Sequence, residues 1–186
     1  MCALSPRVGA DLKAGILALA VVLAAIAGWT DYRSRRIPNW LTVSGLFVGI
    51  AANTLAGGWQ GLKTSLLGAG LGLLLLLPLV ILRSLGAGDW KLAGALGAFL
   101  GPGVMFNLLL ASIFVAGVMA AVLIIYKGRL RETLRNMGHM LAAFASLRLP
   151  PPEVSLDNPE SLKVPYGVAL AFTVVLYGIA RARGAV

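Results

Sequence analysis

An all-α, polytopic membrane bundle is the fold class this sequence predicts, and three observations predict it. The chain of 186 residues is 59% hydrophobic and only 12% charged, with a mean hydropathy of +0.87, outside the range of a soluble globular domain. Apolar stretches almost free of charge recur along it, most approaching the roughly 20 residues that a spanning helix requires. Positive residues gather at the edges of these stretches, as they do beside a membrane.

The stretches are 12–29, 40–55, 66–82, 92–126 and 164–180. The fourth is too long for one crossing and contains Gly101-Pro102-Gly103, so it is expected to divide into helices over 92–104 and 107–126 joined by a glycine-proline turn. Six crossings follow. The first stretch, with Arg7, Lys13 and Ala25-Ile26-Ala27, also fits a cleavable signal peptide, and we read it as a first span that carries Asp31 at its end. Pro78 lies inside the third stretch, where its missing amide and its ring favour a kink. Small residues four apart, in Gly45 and Gly49, Gly68 and Gly72, and Gly97 and Gly101, allow close approach of helix backbones. Packing within the chain is the simpler use of them, with homodimerisation as the alternative.

Of the 16 Lys and Arg residues, 11 fall on one side when the N-terminus is placed outside: Arg33, Arg35, Arg36, Arg83, Lys91, Lys127, Arg129, Arg131, Arg135, Arg148 and Lys163. That side is expected to be cytoplasmic. Residues 127–149 read as an interfacial helix, with Leu130, Leu134, Met137, Leu141 and Phe144 on one face and Arg131 and Arg135 on the other. Residues 150–163 are proline-interrupted and polar, an extended connector whose Glu153, Asp157 and Glu160 are expected to be solvated.

The net charge of +9 does not point to nucleic acid, because the cations lie at membrane edges and the aromatics inside apolar spans. The lipid bilayer is the better partner for them. One Cys, Cys2, and one His, His139, leave no intrachain disulfide, no cysteine-pair zinc site and no histidine-rich metal site. Neither metal nor cofactor is expected.

The chemical signal is a pair of acids. Of seven acidic residues, Asp31 in GWTDYRSRRIPNWLT and Asp89 in RSLGAGDWKLAG abut apolar spans on the same expected face. Two carboxylates held close at low dielectric cannot both ionise cheaply, so they share a proton and leave one base and one acid. Such a pair can activate water and protonate a departing amide nitrogen. Each acid has a plainer reading as well: Asp89 as a helix N-cap after the glycines, and Asp31 as a surface ion pair with Arg33, Arg35 or Arg36, worth about 0–1 kcal/mol. Gly86 and Gly88 supply backbone freedom and let a substrate strand approach closely.

Asp31 with Arg36-Ile37-Pro38-Asn39, followed by Gly86-Ala87-Gly88-Asp89-Trp90-Lys91, resembles the prepilin peptidases, membrane aspartyl proteases of the GxGD type. The resemblance covers about residues 12–125, with Pro165-Tyr166-Gly167 a looser match at the last span. It implies a single integral membrane domain with Asp31 and Asp89 as the catalytic dyad, without metal or cofactor, facing the cytoplasm from the bacterial inner membrane. Implied substrates are prepilins and pseudopilins, cut between a short basic leader and a hydrophobic helix. The cytosolic domain with paired cysteines of larger members has no counterpart here, and the short form resembles the branch serving tight-adherence (Flp) pili.

Around the pair, Lys91 is expected either to orient a substrate carbonyl or carboxylate or to snorkel to lipid phosphate. Pro38 and Asn39 are expected to shape the entry to the second span, with Asn39 as its cap, and the arginines to set topology. Two rival functions stay open: a carboxylate-dependent, proton-coupled transporter, and a non-enzymatic subunit of a pilus or secretion assembly.

Overall fold

A computed structural model describes residues 6–82, 84–128 and 165–184, with Arg135 and Gly138 besides. The described residues form helices α1 (Pro6–Ser34), α2 (Asn39–Ile81), α3 (Ala87–Lys127) and α4 (Tyr166–Ala182), with no strand among them. Three are long and apolar enough to cross a membrane, over Asp11–Ser34, Asn39–Ile81 and Ala87–Lys127, and α4 is a shorter apolar helix of 17 residues. Large apolar side chains such as Phe47, Leu67, Leu74, Phe114 and Ile125 point outward, the arrangement expected of a chain solvated by lipid. The interfacial helix expected over 127–149 and the connector 150–163 lie almost wholly outside the described residues.

At 43 and 41 residues, α2 and α3 are each too long for one straight crossing, and each is broken by a glycine. In α2 the break is Gly58, at φ 56 and ψ −136, a left-handed conformation that other residues rarely adopt. The chain turns back there. A side-chain carbon added at Gly61 would overlap the Asn53 carbonyl, whereas a straight helix would hold these residues about 12 Å apart. The chain expected between the second and third spans therefore shrinks to one glycine, and residues 59–65 are helical.

In α3 the break is Gly101, at φ 75, with Pro102 next to it, where the glycine-proline turn is expected. Ser112, beyond the break, meets Tyr166, whose neighbour Gly167 lies against Asp89. An unbroken helix would separate Asp89 from Ser112 by about 35 Å, so α3 also folds back. Its first arm, 87–100, is only about 21 Å long. Pro78, by contrast, is accommodated inside α2 without leaving helical geometry.

The arms interlock through the small residues. A side chain at Gly68 would overlap the Gly97 carbonyl, one at Gly97 the Gly68 carbonyl, and one at Gly72 would come 2.5 Å from the Ala93 carbonyl oxygen. Gly49 sits equally close to Ala98 and Phe99. This close approach places polar side chains where the break in α3 needs them. Pro102 has no N–H for the Ala98 carbonyl, and the turn at Gly101 also disrupts the ladder at Phe99. Asn53 Nδ2 donates to both carbonyls, at 2.8 and 3.0 Å, and Ser65 Oγ donates to Ala98 O at 2.6 Å. Unpaired carbonyls are costly in lipid, so these two side chains make the turn tolerable. Trp90 Nε1 ties the two arms again at Leu73 O, 2.7 Å away. On the other flank α1 runs against α4, with Gly28 facing Ala171 and Gly178 facing Val21.

Candidate active site

Asp31 stands one turn before the end of α1. The helix stops because Arg35 takes a left-handed conformation, φ 50, while its N–H donates to the Asp31 carbonyl at 2.8 Å. Ile37 then turns inward, 8% exposed, and Pro38 at φ −63 and ψ 135 starts α2. The Asp31 side chain is 6% exposed. Its Oδ2 accepts a hydrogen bond from Val168 N–H at 3.3 Å, and among the described residues it forms no ion pair with the arginines that follow it.

Asp89 is the third residue of α3. Gly86 occupies the N-cap position, at φ −68 and ψ 141, so the expectation of Asp89 as the cap is corrected: the acid lies inside the first turn, and no side chain caps this helix. Its Oδ2 faces Gly86, where an added carbon would come within 3.1 Å. Its Oδ1 is buried with no hydrogen-bond partner among the described residues. A buried unpartnered oxygen is costly and uncommon, and such groups persist mainly where they have work to do.

The two carboxylates meet at the head of α4. A side-chain carbon added at Gly167 would lie 2.8 Å from Asp31 Oδ2, 2.9 Å from Asp89 Oδ1 and 2.9 Å from Ile37 Cδ1. The two oxygens are therefore less than about 6 Å apart, the range in which like charges govern each other's protonation. Around them opens a cleft of about 410 Å³, lined by Asp31, Arg35, Arg36, Ile37, Pro38, Asn39, Gly86, Ala87, Gly88 and Asp89. A larger space of about 590 Å³, between Leu66, Leu67, Leu74, Leu75, Pro102 and Phe106, has no ionisable side chain and lies on the apolar flank, so the chemistry belongs to the smaller cleft. No third His, Cys, Asp or Glu joins the two acids in a metal-binding group among the described residues.

The other residues singled out by sequence fall in or beside this cleft, with roles that differ from expectation in several places. Gly86 and Gly88 do not use conformations closed to other residues, since neither has a positive φ. They provide space, Gly86 beside Asp89 Oδ2 and Gly88 beside Ile37, 3.2 Å from its Cβ. Asn39 is not a cap: Pro38 holds that position. Asn39 Oδ1 instead accepts from Lys91 Nζ at 3.0 Å, so Lys91 links the two motif loops rather than extending towards lipid. Arg35 and Arg36, expected to set topology or to pair with Asp31 at the surface, line the cleft. Gly167, Val168 and Tyr166 were not singled out for the site. The signal available was Pro165-Tyr166-Gly167, a glycine with no chemistry of its own at the head of an apolar span.

Comparison with known proteins bears on the family of the chain. Residues 17–125 match the model of the type IV leader peptidase family. Over 135 residues the chain is 30% identical to a prepilin leader peptidase/N-methyltransferase of Xanthomonas campestris pv. campestris, an alignment covering 69% of this chain and 46% of that protein. The chain thus spans about half the length of this curated relative. No solved structure matches. The matched segment contains Asp31, Ile37-Pro38-Asn39 and Gly86-Ala87-Gly88-Asp89 together, and with a match over more than half its length, this integral membrane chain belongs to the type IV leader peptidase family.

Proposed function

We propose that the protein is a membrane-embedded aspartic endopeptidase that removes the leader of prepilins or pseudopilins, with Asp31 and Asp89 as its dyad. The observation that carries this reading is the convergence of the two carboxylates on Gly167, one oxygen of Asp89 having no hydrogen-bond partner among the described residues. The pair titrates as a unit and holds one proton between its members. The ionised member takes a proton from water as that water attacks the scissile carbonyl, and the protonated member gives its proton to the departing amide nitrogen. Peptide bond and water are exchanged for a carboxylate and an amine, with no covalent enzyme intermediate.

Gly86 and Gly88 leave room for a substrate backbone over the acids, since neither carries a side chain into the cleft. The Lys91 to Asn39 bond holds the two motif loops at a fixed spacing and keeps the mouth of the cleft open. The breaks at Gly58 and Gly101 support six crossings, with α2 and α3 each contributing two. Placing the basic loop ends inside then sets the cleft at the cytoplasmic face of the bacterial inner membrane. A leader cut there leaves its hydrophobic helix in the bilayer. The transport reading has little to rest on: the buried hydroxyls of Thr42, Ser65, Ser112 and Thr173 all donate to backbone carbonyls and so offer no free relay.

Co-expression of the full chain with a leader-bearing prepilin tests the reading. A prepilin shortened by its leader, with the new N-terminus at the hydrophobic helix by mass spectrometry, is the expected product. Uncleaved prepilin beside a well-inserted enzyme would reject it in favour of an assembly subunit.

A further inference from the structure

We propose that the hydrogen bond between Ser112 and Tyr166 is a latch that positions the head of α4 against the two carboxylates, making Ser112 and Tyr166 positioning residues for the reaction. This inference rests on the proteolytic reading above and adds to it a pair that the mechanism does not otherwise use. Ser112 is fully buried and Tyr166 is 8% exposed, and their hydroxyl oxygens lie 2.7 Å apart across 54 residues of sequence. Ser112 Oγ also donates to Leu109 O at 2.8 Å. A serine hydroxyl has one proton to give. When that proton is directed to Leu109 O, the phenol donates to Ser112 Oγ; when it is directed to Tyr166, the serine donates, and the two hydroxyls stay bonded in either direction.

Held in this buried bond, Tyr166 acts as an anchor. Tyr166 is the first residue of α4; the next, Gly167, lies between Asp31 Oδ2 and Asp89 Oδ1, and the one after, Val168, donates to Asp31 Oδ2. No side chain caps α4 at Pro165, so Asp31, from another helix, accepts one of the amides that a helix start leaves unpaired. Val168 N–H divides itself between Asp31 and Pro165 O, at 3.3 and 3.2 Å. Such a divided bond fixes the first turn weakly. The latch, fastened to the second arm of α3, supplies a firmer hold two residues away. When it opens, Gly167 is free to shift between the carboxylates, and displacements of about 1 Å at a reacting group can cost on the order of a hundred-fold in rate.

The test compares wild type, Tyr166→Phe, Ser112→Ala and the double variant, each as the full chain in liposomes with a leader-bearing prepilin, by kcat, KM and thermal unfolding. Each single variant is expected to lose on the order of ten-fold in kcat with KM changed less than about two-fold. Ser112→Ala leaves a buried phenol proton unpaired, whereas the double variant leaves neither partner behind, so its unfolding temperature should recover towards wild type. Its kcat should stay at the level of the singles. Recovery of kcat together with stability would make the bond merely structural and overturn the proposal, as would wild-type kcat in all three variants or a rise confined to KM. Asp31→Asn and Asp89→Asn, run alongside, separate the two ideas. If they cleave like wild type, the dyad of the proteolytic reading fails; if they are inactive while the latch variants are unaffected, only the latch fails.

Discussion

At the residue level the site depends on where a side chain is missing as much as on the acids. Gly167 touches both carboxylates and Ile37 within the space of one carbon, so Gly167→Ala must push at least one of them aside. Cleavage should fall on the order of a hundred-fold or more, measured as product formed from a leader-bearing prepilin, with the protein still inserted. Gly86→Ala meets only Asp89 Oδ2, at 3.1 Å, from a conformation that alanine accepts. Its loss in the same assay should be clearly smaller than that of Gly167→Ala, and equal losses would show that crowding of the pair is not the cause. Asp31 and Asp89 were legible because charge at the end of an apolar stretch is conspicuous. Gly167 was not, because a glycine gives no chemical signal, and only contact across 136 positions of chain makes it part of a site. The Lys91 to Asn39 pairing was hidden for the same reason, since an exposed Lys beside a membrane reads first as a lipid contact.

At the scale of elements, two glycine breaks convert two long helices into folded-back pairs, and each break leaves backbone groups to be satisfied. Ala98 O has two donors, Asn53 Nδ2 and Ser65 Oγ. Losing one leaves the other, so Ser65→Ala should cost about 1 kcal/mol and Asn53→Ala, which also strips Phe99 O, about 1–3 kcal/mol. The double variant should cost more than the sum, because only then is the buried Ala98 carbonyl left without a donor; denaturant unfolding in detergent measures this, and strict additivity would contradict it. The turn at Gly101 was readable from glycine, proline and glycine in sequence. The turn at Gly58 was harder, since Gly57-Gly58 lies in a stretch polar enough to read as a loop, whereas helix continues on both sides of a single residue. The stripes of Gly68, Gly72 and Gly97 announced close packing but not their partners, which depend on which arms the breaks bring side by side.

For the whole molecule, the folded-back helices and the positive residues together support the proposed orientation. The arm 39–57 separates Arg36 from Gly57 by roughly 30 Å, about one hydrocarbon thickness, and a side chain at Gly57 meets nothing within 4 Å among the described residues. With Cys2 replaced by Ser, Gly57→Cys should react with a membrane-impermeant thiol reagent added to intact cells, and Arg36→Cys only after the membrane is opened. Labelling of both from the same side would overturn the six-crossing topology. The proposed cytoplasmic orientation would put the cleft where a leader would remain after its hydrophobic helix has entered the bilayer, so the proposed topology and chemistry constrain each other.

The pairing of Asp31 with Asp89 is the centre of the account, and the most direct measurement of it is cleavage of a leader-bearing prepilin by purified Asp31→Asn and Asp89→Asn variants in liposomes, each beside wild type. Asparagine keeps the shape of each side chain and removes its charge and its transferable proton. Each substitution alone is expected to abolish leader removal while leaving insertion and unfolding close to wild type. Full processing by either single variant would contradict the dyad.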